Sequence, residues 1–215
     1  MINRTSLFSL VLLLLFARTS LAADQYDQYY RTIVPPQPTT TGDKIEVMEI
    51  FWYGCPHCYH FETYIHKWLE TKPDDVAFVR MPAVLNKSWI PHARAYYAAI
   101  KLGVLDRIHT PLFNAIHRDR KPIFTEDTLK DFFESQGIDG DAFTKAYHST
   151  EVDIKVKQAY LMARNFKVTG VPTMVVDGKY LTSAGMTGSF EKMIDTVNYL
   201  IKKVRQERQE ASAAK

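Results

Sequence analysis

The sequence predicts an α/β fold whose sheet is interrupted by a long helical insert, on three observations. First, residues 45–53 (IEVMEIFWY) are β-branched, aromatic and apolar on both faces, the pattern of a strand buried in a sheet covered on each side. Second, residues 88–164 carry helical signals and little strand pattern. Third, sheet signals return in VPTMVVDGKYL, where Asp177-Gly178 between two apolar runs is a strong short-range hairpin signal. The order is a strand, a β-α-β unit, several helices, then β-β-α.

The elements follow in order along the chain. Residues 1–22 read as a cleavable export signal: Arg4, an apolar run over 10–16, then Ser20-Leu21-Ala22 in the small-x-small pattern of a signal-peptidase site. The apolar run is shorter than the roughly 20 residues that span a bilayer. Removing it takes away Arg4 and Arg18 and no acidic residue, so the net charge of +3 falls by two. That weak balance gives no argument for nucleic-acid binding, which needs a concentrated basic face, and none is expected. The basic cluster Lys202, Lys203, Arg205 and Arg208 is interleaved with Glu207 and Glu210 and reads as a solvated, fraying helix end.

Residues 29–34 are compatible with a short strand. Pro35, Pro36 and Pro38 then impose an extended arm, and Gly42-Asp43 marks a turn. The strand at 45–53 runs straight into Gly54-Cys55-Pro56. Proline suits the first helical position, which places Cys55 at or beside the N-cap. Cys58, Phe61, Ile65, Trp68 and Leu69 fall at helical spacing as one apolar stripe, and Lys72-Pro73 ends the helix. The register therefore puts Cys55 at an exposed helix tip and Cys58 at the head of a buried stripe. Residues 76–81 form a second strand.

Within the insert, Gly103 ends one helix. Pro111 is expected to kink or start the next. A further helix runs from Thr125 as N-cap to Gly137 as its stop. Two more helices, one short and one long, complete the insert before residue 164. A last helix covers about 189–204. Domain boundaries follow: 1–22 signal, 23–87 and 165–215 the two parts of the sheet domain, 88–164 the helical insertion.

The chain has only two cysteines, in FWYGCPHCYHF. They read as a metal clip, a structural staple or a reactive pair. Export to an oxidising compartment favours their pairing. A bridge across two intervening residues closes too small a loop to stabilise much, since about 3 kcal/mol already needs a loop of about 15 residues. Zinc needs about four ligands, and no second ligand pair with familiar spacing appears. A reactive pair remains, with Cys55 facing the free N–H groups and positive end of a helix, and His57 placed to add a hydrogen bond or charge.

CPHC at a strand-to-helix junction, with Gly170-Val171-Pro172-Thr173 opening a hairpin 114 residues beyond Cys58, resembles the thioredoxin fold. The fuller match, IFWYGCPHCYHFE with a helical insert and GVP before a DG hairpin, resembles the DsbA family of periplasmic thiol oxidases over nearly all of the chain beyond the signal. The resemblance implies a thioredoxin fold with an inserted α-helical domain, in the periplasm of a Gram-negative bacterium. It implies a cis proline at Pro172 packed against the disulfide, with Val171 offering backbone hydrogen bonds to an extended substrate. Glu49 matches the acidic residue beneath the disulfide, where a buried carboxyl could relay protons for Cys58, and Arg80 is its candidate partner. Glu62 reads as structural.

The expected function is donation of the Cys55–Cys58 disulfide to newly exported proteins with free cysteines, through a mixed disulfide. The redox-active disulfide is the whole redox centre: no G-x-G-x-x-G follows a strand, so no flavin, quinone or nicotinamide site is expected. Reoxidation falls to a quinone-linked inner-membrane partner of the DsbB type. A disulfide isomerase or reductase, or a chaperone-like binder, are the alternatives on the same fold. An isomerase of this compartment would carry an N-terminal dimerisation module, for which too few residues precede the strand at 45, so a monomer is expected.

Overall fold

The computed structural model describes residues 25–214, so the export signal at 1–22 lies outside the described residues. Among the described residues there are five strands and eight helices, besides short 3₁₀ turns. The strands are β1 (Arg31–Thr32), β2 (Ile45–Phe51), β3 (Val76–Pro82), β4 (Thr173–Val176) and β5 (Tyr180–Ser183). They form one sheet in the order β1-β5-β4-β2-β3. The helices are α1 (Pro56–Leu69), α2 (Ile90–Lys101), α3 (Leu105–His117), α4 (Glu126–Ser135), α5 (Gly140–Tyr147), α6 (Thr150–Asn165), α7 (Ala184–Thr187) and α8 (Phe190–Ala213). Among the described residues no helix is long and apolar enough to cross a membrane.

Strand β2 is an interior strand, flanked by β4 and β3, and every one of its residues is buried. It runs parallel to β3, with α1 as the crossover that a parallel pair requires, and antiparallel to β4. Its two faces pack different cores. Ile45 and Val47 meet Phe61 and Ile65 of α1 and Leu200 and Ile201 of α8. Met48 and Ile50 meet Ala159 and Ala163 of α6 and Phe166 just beyond it. The three-residue β4–β5 loop has Asp177 at φ 53° and Gly178 at φ 64°, the paired positive values of a primed turn, closed by the Lys179 N–H donating to the Val176 carbonyl at 3.0 Å. A Cβ at Gly178 would come within 2.0 Å of the Gln37 carbonyl oxygen, because the proline arm docks on this turn. The Gln37 N–H donates to the Gly178 carbonyl at 3.0 Å.

The insert has its own core, in which Phe113, Phe133 and Phe143 are essentially inaccessible. Phe51, Tyr53, Cys55 and Cys58 belong to that same cluster. The C-terminal end of β2 thus delivers the two sulfurs to the seam between sheet and insert. Caps set the insert helices locally: Thr125, Asp139 and Ser149 each accept a backbone N–H of the first turn.

Four expectations are corrected. The strand at 29–34 shrinks to Arg31–Thr32, preceded by a 3₁₀ turn at Asp27–Tyr29, since the proline arm leaves little to pair. Of the two roles allowed for Pro111, starting its helix falls away, because α3 begins six residues earlier at Leu105 and holds Pro111 in its interior, where the kinking alternative places it. Helix α1 stops at Leu69, before Lys72-Pro73. The basic tail is a helix end, as read, but it neither frays nor is wholly solvated, since α8 continues to Ala213. Arg205 pairs with Asp75 at 2.6 and 2.7 Å, and Arg208 with Asp177 at 2.6 Å. Val204 is fully buried, a burial worth roughly 1.5–3 kcal/mol for a side chain of this type.

Candidate active site

Cys55 is the N-cap of α1, with extended backbone (φ −92°, ψ 116°) and Pro56 next to it at the helix start. Its thiol is held down to about 6, from an ordinary value of 9.0. The Cys58 thiol donating to its sulfur is the largest cause, and the backbone N–H groups of Cys58 and His57 and the charge of His57 act the same way. Burial opposes them and loses. Cys58 is displaced in the other direction, well above its ordinary value, by burial first and then by hydrogen bonding to Cys55 and repulsion from Cys55 and Glu49. Dipole, hydrogen bonds and burial thus separate two identical side chains three residues apart.

Cys55 as a residue is 9 % exposed and Cys58 is wholly inaccessible. The first value corrects the expectation of an openly exposed tip. The loop before β4 comes up against it: the Val171 carbonyl oxygen lies 3.5 Å from Cys55 Sγ and accepts from the thiol when that is protonated. The Val171-Pro172 bond is cis, as the resemblance implied. His57 is exposed at the mouth of a cavity of about 750 Å³, which Gly170, Val171, Pro172, Met186 and Phe190 also line.

Beneath the pair lies Glu49, fully buried. Register explains its partner, since Glu49 on β2 stands beside Arg80 on β3. Arg80 Nε donates to Glu49 Oε2 at 2.8 Å. Burial raises the Glu49 carboxyl to about 7 from 4.5, with Arg80 opposing and Glu62 reinforcing the shift. Glu62 joins this group because Arg80 Nη2 donates to both of its carboxyl oxygens at 3.0 and 3.1 Å. Burial pushes Glu62 up, but a hydrogen bond from His109 and the charge of Arg80 overcome it and leave the carboxyl low. Reading Glu62 as merely structural missed this link, and His109 of α3 was not singled out at all. A signal existed for Glu62: it neighbours the apolar stripe of α1, where a solvated carboxylate is out of place. None existed for His109, which lies on an apolar helical face.

Among the described residues, no group of three or more His, Cys, Asp or Glu side chains converges in a way that would hold a metal ion. The arrangement is suited to sulfur exchange: one accessible sulfur favoured as thiolate, one buried sulfur favoured as thiol, and a carboxyl titrating near neutrality behind them.

Comparison with known proteins places this geometry. Residues 46–202 match the DSBA-like thioredoxin domain. The thiol:disulfide interchange protein DsbA of Pseudomonas aeruginosa is 39% identical over 204 residues, covering 92% of this chain and 97% of that protein. Its counterpart in Azotobacter vinelandii is 41% identical over 168 residues, covering 78% of each chain. The crystal structure of P. aeruginosa DsbA superposes with a TM-score of 0.79 at 39% identity, covering 84% of this chain and 94% of that one. The oxidoreductase DsbA from Xylella fastidiosa gives 0.77 at 36% identity, over 83% and 96%. The fold is a thioredoxin fold with a helical insertion, and a dithiol of this kind on it defines a protein-disulfide oxidoreductase. The chain belongs to the DsbA family.

Proposed function

We propose that this chain is a periplasmic disulfide oxidase that donates a Cys55–Cys58 disulfide to newly exported proteins. The observation that carries the reading is the opposite displacement of the two thiols, Cys55 down to about 6 and Cys58 well up. A substrate thiolate attacks the more accessible Cys55 Sγ, the S–S bond breaks, and its electron pair goes to Cys58, which takes up a proton. Glu49 supplies that proton. A second substrate thiolate then attacks the substrate sulfur of the mixed disulfide and expels Cys55 as thiolate. The substrate leaves oxidised by two electrons, and the chain is left reduced. A sulfur that is stable as thiolate is a good leaving group, so the second step and the reduced state are both favoured.

His57 contributes charge and a backbone N–H to the leaving sulfur. Val171 and Pro172 border the cavity in which an extended substrate segment lies, with the Val171 backbone as its hydrogen-bonding partner. Residues 23–87 and 165–215 form the thioredoxin part around an insertion at 88–164, and residues 1–22 are the export signal. The protein acts as a monomer without a further cofactor. It returns its electrons by a second thiol–disulfide exchange to a quinone-linked inner-membrane protein of the DsbB type. Equilibration of the purified protein with glutathione buffers tests this reading. A strongly oxidising potential is expected, and a thioredoxin-like reducing one would refute the oxidase assignment.

A further inference from the structure

Behind the sulfurs, polar side chains from five elements meet in space otherwise filled by apolar groups. Arg80 serves two carboxyls at once, Glu49 through Nε and Glu62 through Nη2. Both are buried, at 0% and 7% exposure. Two buried carboxylates facing one cation repel each other, so ionising both is costly and the pair favours holding a proton near neutrality. Its location matters, because Glu49 is the carboxyl whose charge bears on Cys58.

What distinguishes the two carboxyls lies on the Glu62 side. Glu49 Oε1 has no hydrogen-bond partner among the described residues. Glu62, besides Arg80, faces His66 Nε2 at 3.2 Å and His109 Nε2 at 3.4 Å. His109 is 6% exposed, and its Nδ1 lies 2.9 Å from the Tyr53 hydroxyl. Tyr53 is fully buried, and its phenol keeps its proton. That hydroxyl donates to Nδ1, which puts the ring proton of neutral His109 on Nε2, facing Glu62. The other tautomer would set a lone pair against a carboxylate. Nε2 stands 3.4 Å from Glu62 Oε2 without closing a well-formed hydrogen bond, and it has no hydrogen-bond partner elsewhere among the described residues, so Glu62 is the acceptor it faces.

We propose that Tyr53 and His109 are positioning residues: by aiming an N–H at Glu62 they hold that carboxyl ionised and leave the shared proton on Glu49, beside Cys58. The inference rests on the reading of Glu49 as the proton source for Cys58. When the disulfide opens, the electron pair passes to Cys58 and the proton from Glu49 follows it, leaving a Glu49 carboxylate beside Arg80. Reoxidation reverses both. The groups facing this site are Glu49 and Tyr53 from the β2 segment and Arg80 from β3. Glu62, His66 and Cys58 come from α1, His109 from α3, and Tyr96 from α2, whose hydroxyl donates to the Arg80 carbonyl at 3.2 Å.

Carbon-13 NMR titration of labelled glutamate carboxyls, assigned with Glu49→Gln and Glu62→Gln, tests the placement. The parent is expected to show Glu49 titrating near neutrality and Glu62 ionised throughout. In His109→Leu the neutral titration should move to Glu62, and disulfide donation to a reduced peptide at neutral pH should slow by about a hundredfold, the lower end for a positioned proton transfer. His109→Gln still donates to Glu62 and cannot become charged, so it should restore the parent titration. Should His109→Leu not fold, Tyr53→Phe provides the test by freeing the tautomer, with a shift in the same direction. An unchanged Glu49 titration in the folded variant overturns the proposal. A parent in which Glu49 does not titrate near neutrality instead overturns the proton-source reading on which it rests.

Discussion

The helix tip that holds Cys55 and the buried floor beneath Cys58 are two environments within a single turn of α1. At the tip, backbone N–H groups, His57 and a donated thiol hydrogen bond outweigh partial burial. On the floor burial dominates, and the carboxyl of Glu49 adds repulsion. The same functional group is therefore a leaving group on one side and a proton acceptor on the other. Direction in disulfide transfer follows from that contrast.

Removing either sulfur breaks the contrast outright and has the largest effect. Cys55→Ser should reduce oxidation of a reduced peptide to background. Cys58→Ser should leave Cys55 able to couple with a substrate but unable to resolve, so mixed disulfides accumulate on non-reducing gels. A Cys58→Ser protein that forms no such adducts would reverse the assigned roles.

Weakening the tip comes next. His57→Ser should raise the Cys55 titration and make the disulfide less oxidising, by about tenfold in its equilibrium with glutathione for each unit regained. Thiolate absorbance and the glutathione equilibrium measure the two effects. The sign with pH follows from a thiol lower when folded, about 6, than when unfolded, 9.0. The folded reduced chain binds fewer protons in that window, so its extra stability is fully present above 9.0 and is lost as pH falls through about 6. In His57→Ser that loss should set in at higher pH.

Changing the floor should have a smaller effect on exchange and a clear one on the pH profile. Glu49 titrates at about 7 in the fold against 4.5 unfolded, so the folded state binds the extra proton between these values. Its contribution therefore declines as pH rises from 4.5 to 7. Glu49→Gln should flatten that decline in urea denaturation, and an unaltered slope would rule out Glu49 as the titrating group.

The smallest effect is expected far from both environments. Arg205→Ala removes a half-exposed ion pair with Asp75 and should cost about 0.5 kcal/mol. The glutathione equilibrium should not move.

Local chemistry made much of this legible. The CPHC turn, the proline at the helix start, the cap at Thr125 and the Asp177-Gly178 hairpin each depend on a few adjacent residues. The sequence also placed Glu49 on a buried strand and paired it with Arg80, because strand spacing and family resemblance both bear on that position. It did not reveal Glu62 and His109 as partners, since helices α1 and α3 meet only after the insert has folded back. The ordered tail escaped for a similar reason: its anchors, Asp75 and Asp177, lie far away in the chain.

The sequence by itself determined which groups react and which end of a helix holds them. Helix polarity and proline preference operate within a few residues of Cys55. Tertiary structure decided how accessible the sulfur is and how the charges beneath it are balanced. Burial by the Val171-Pro172 loop and the sharing of Arg80 between two carboxyls arise only where distant segments pack together, and it is there that low polarity gives a single hydrogen bond or charge its leverage.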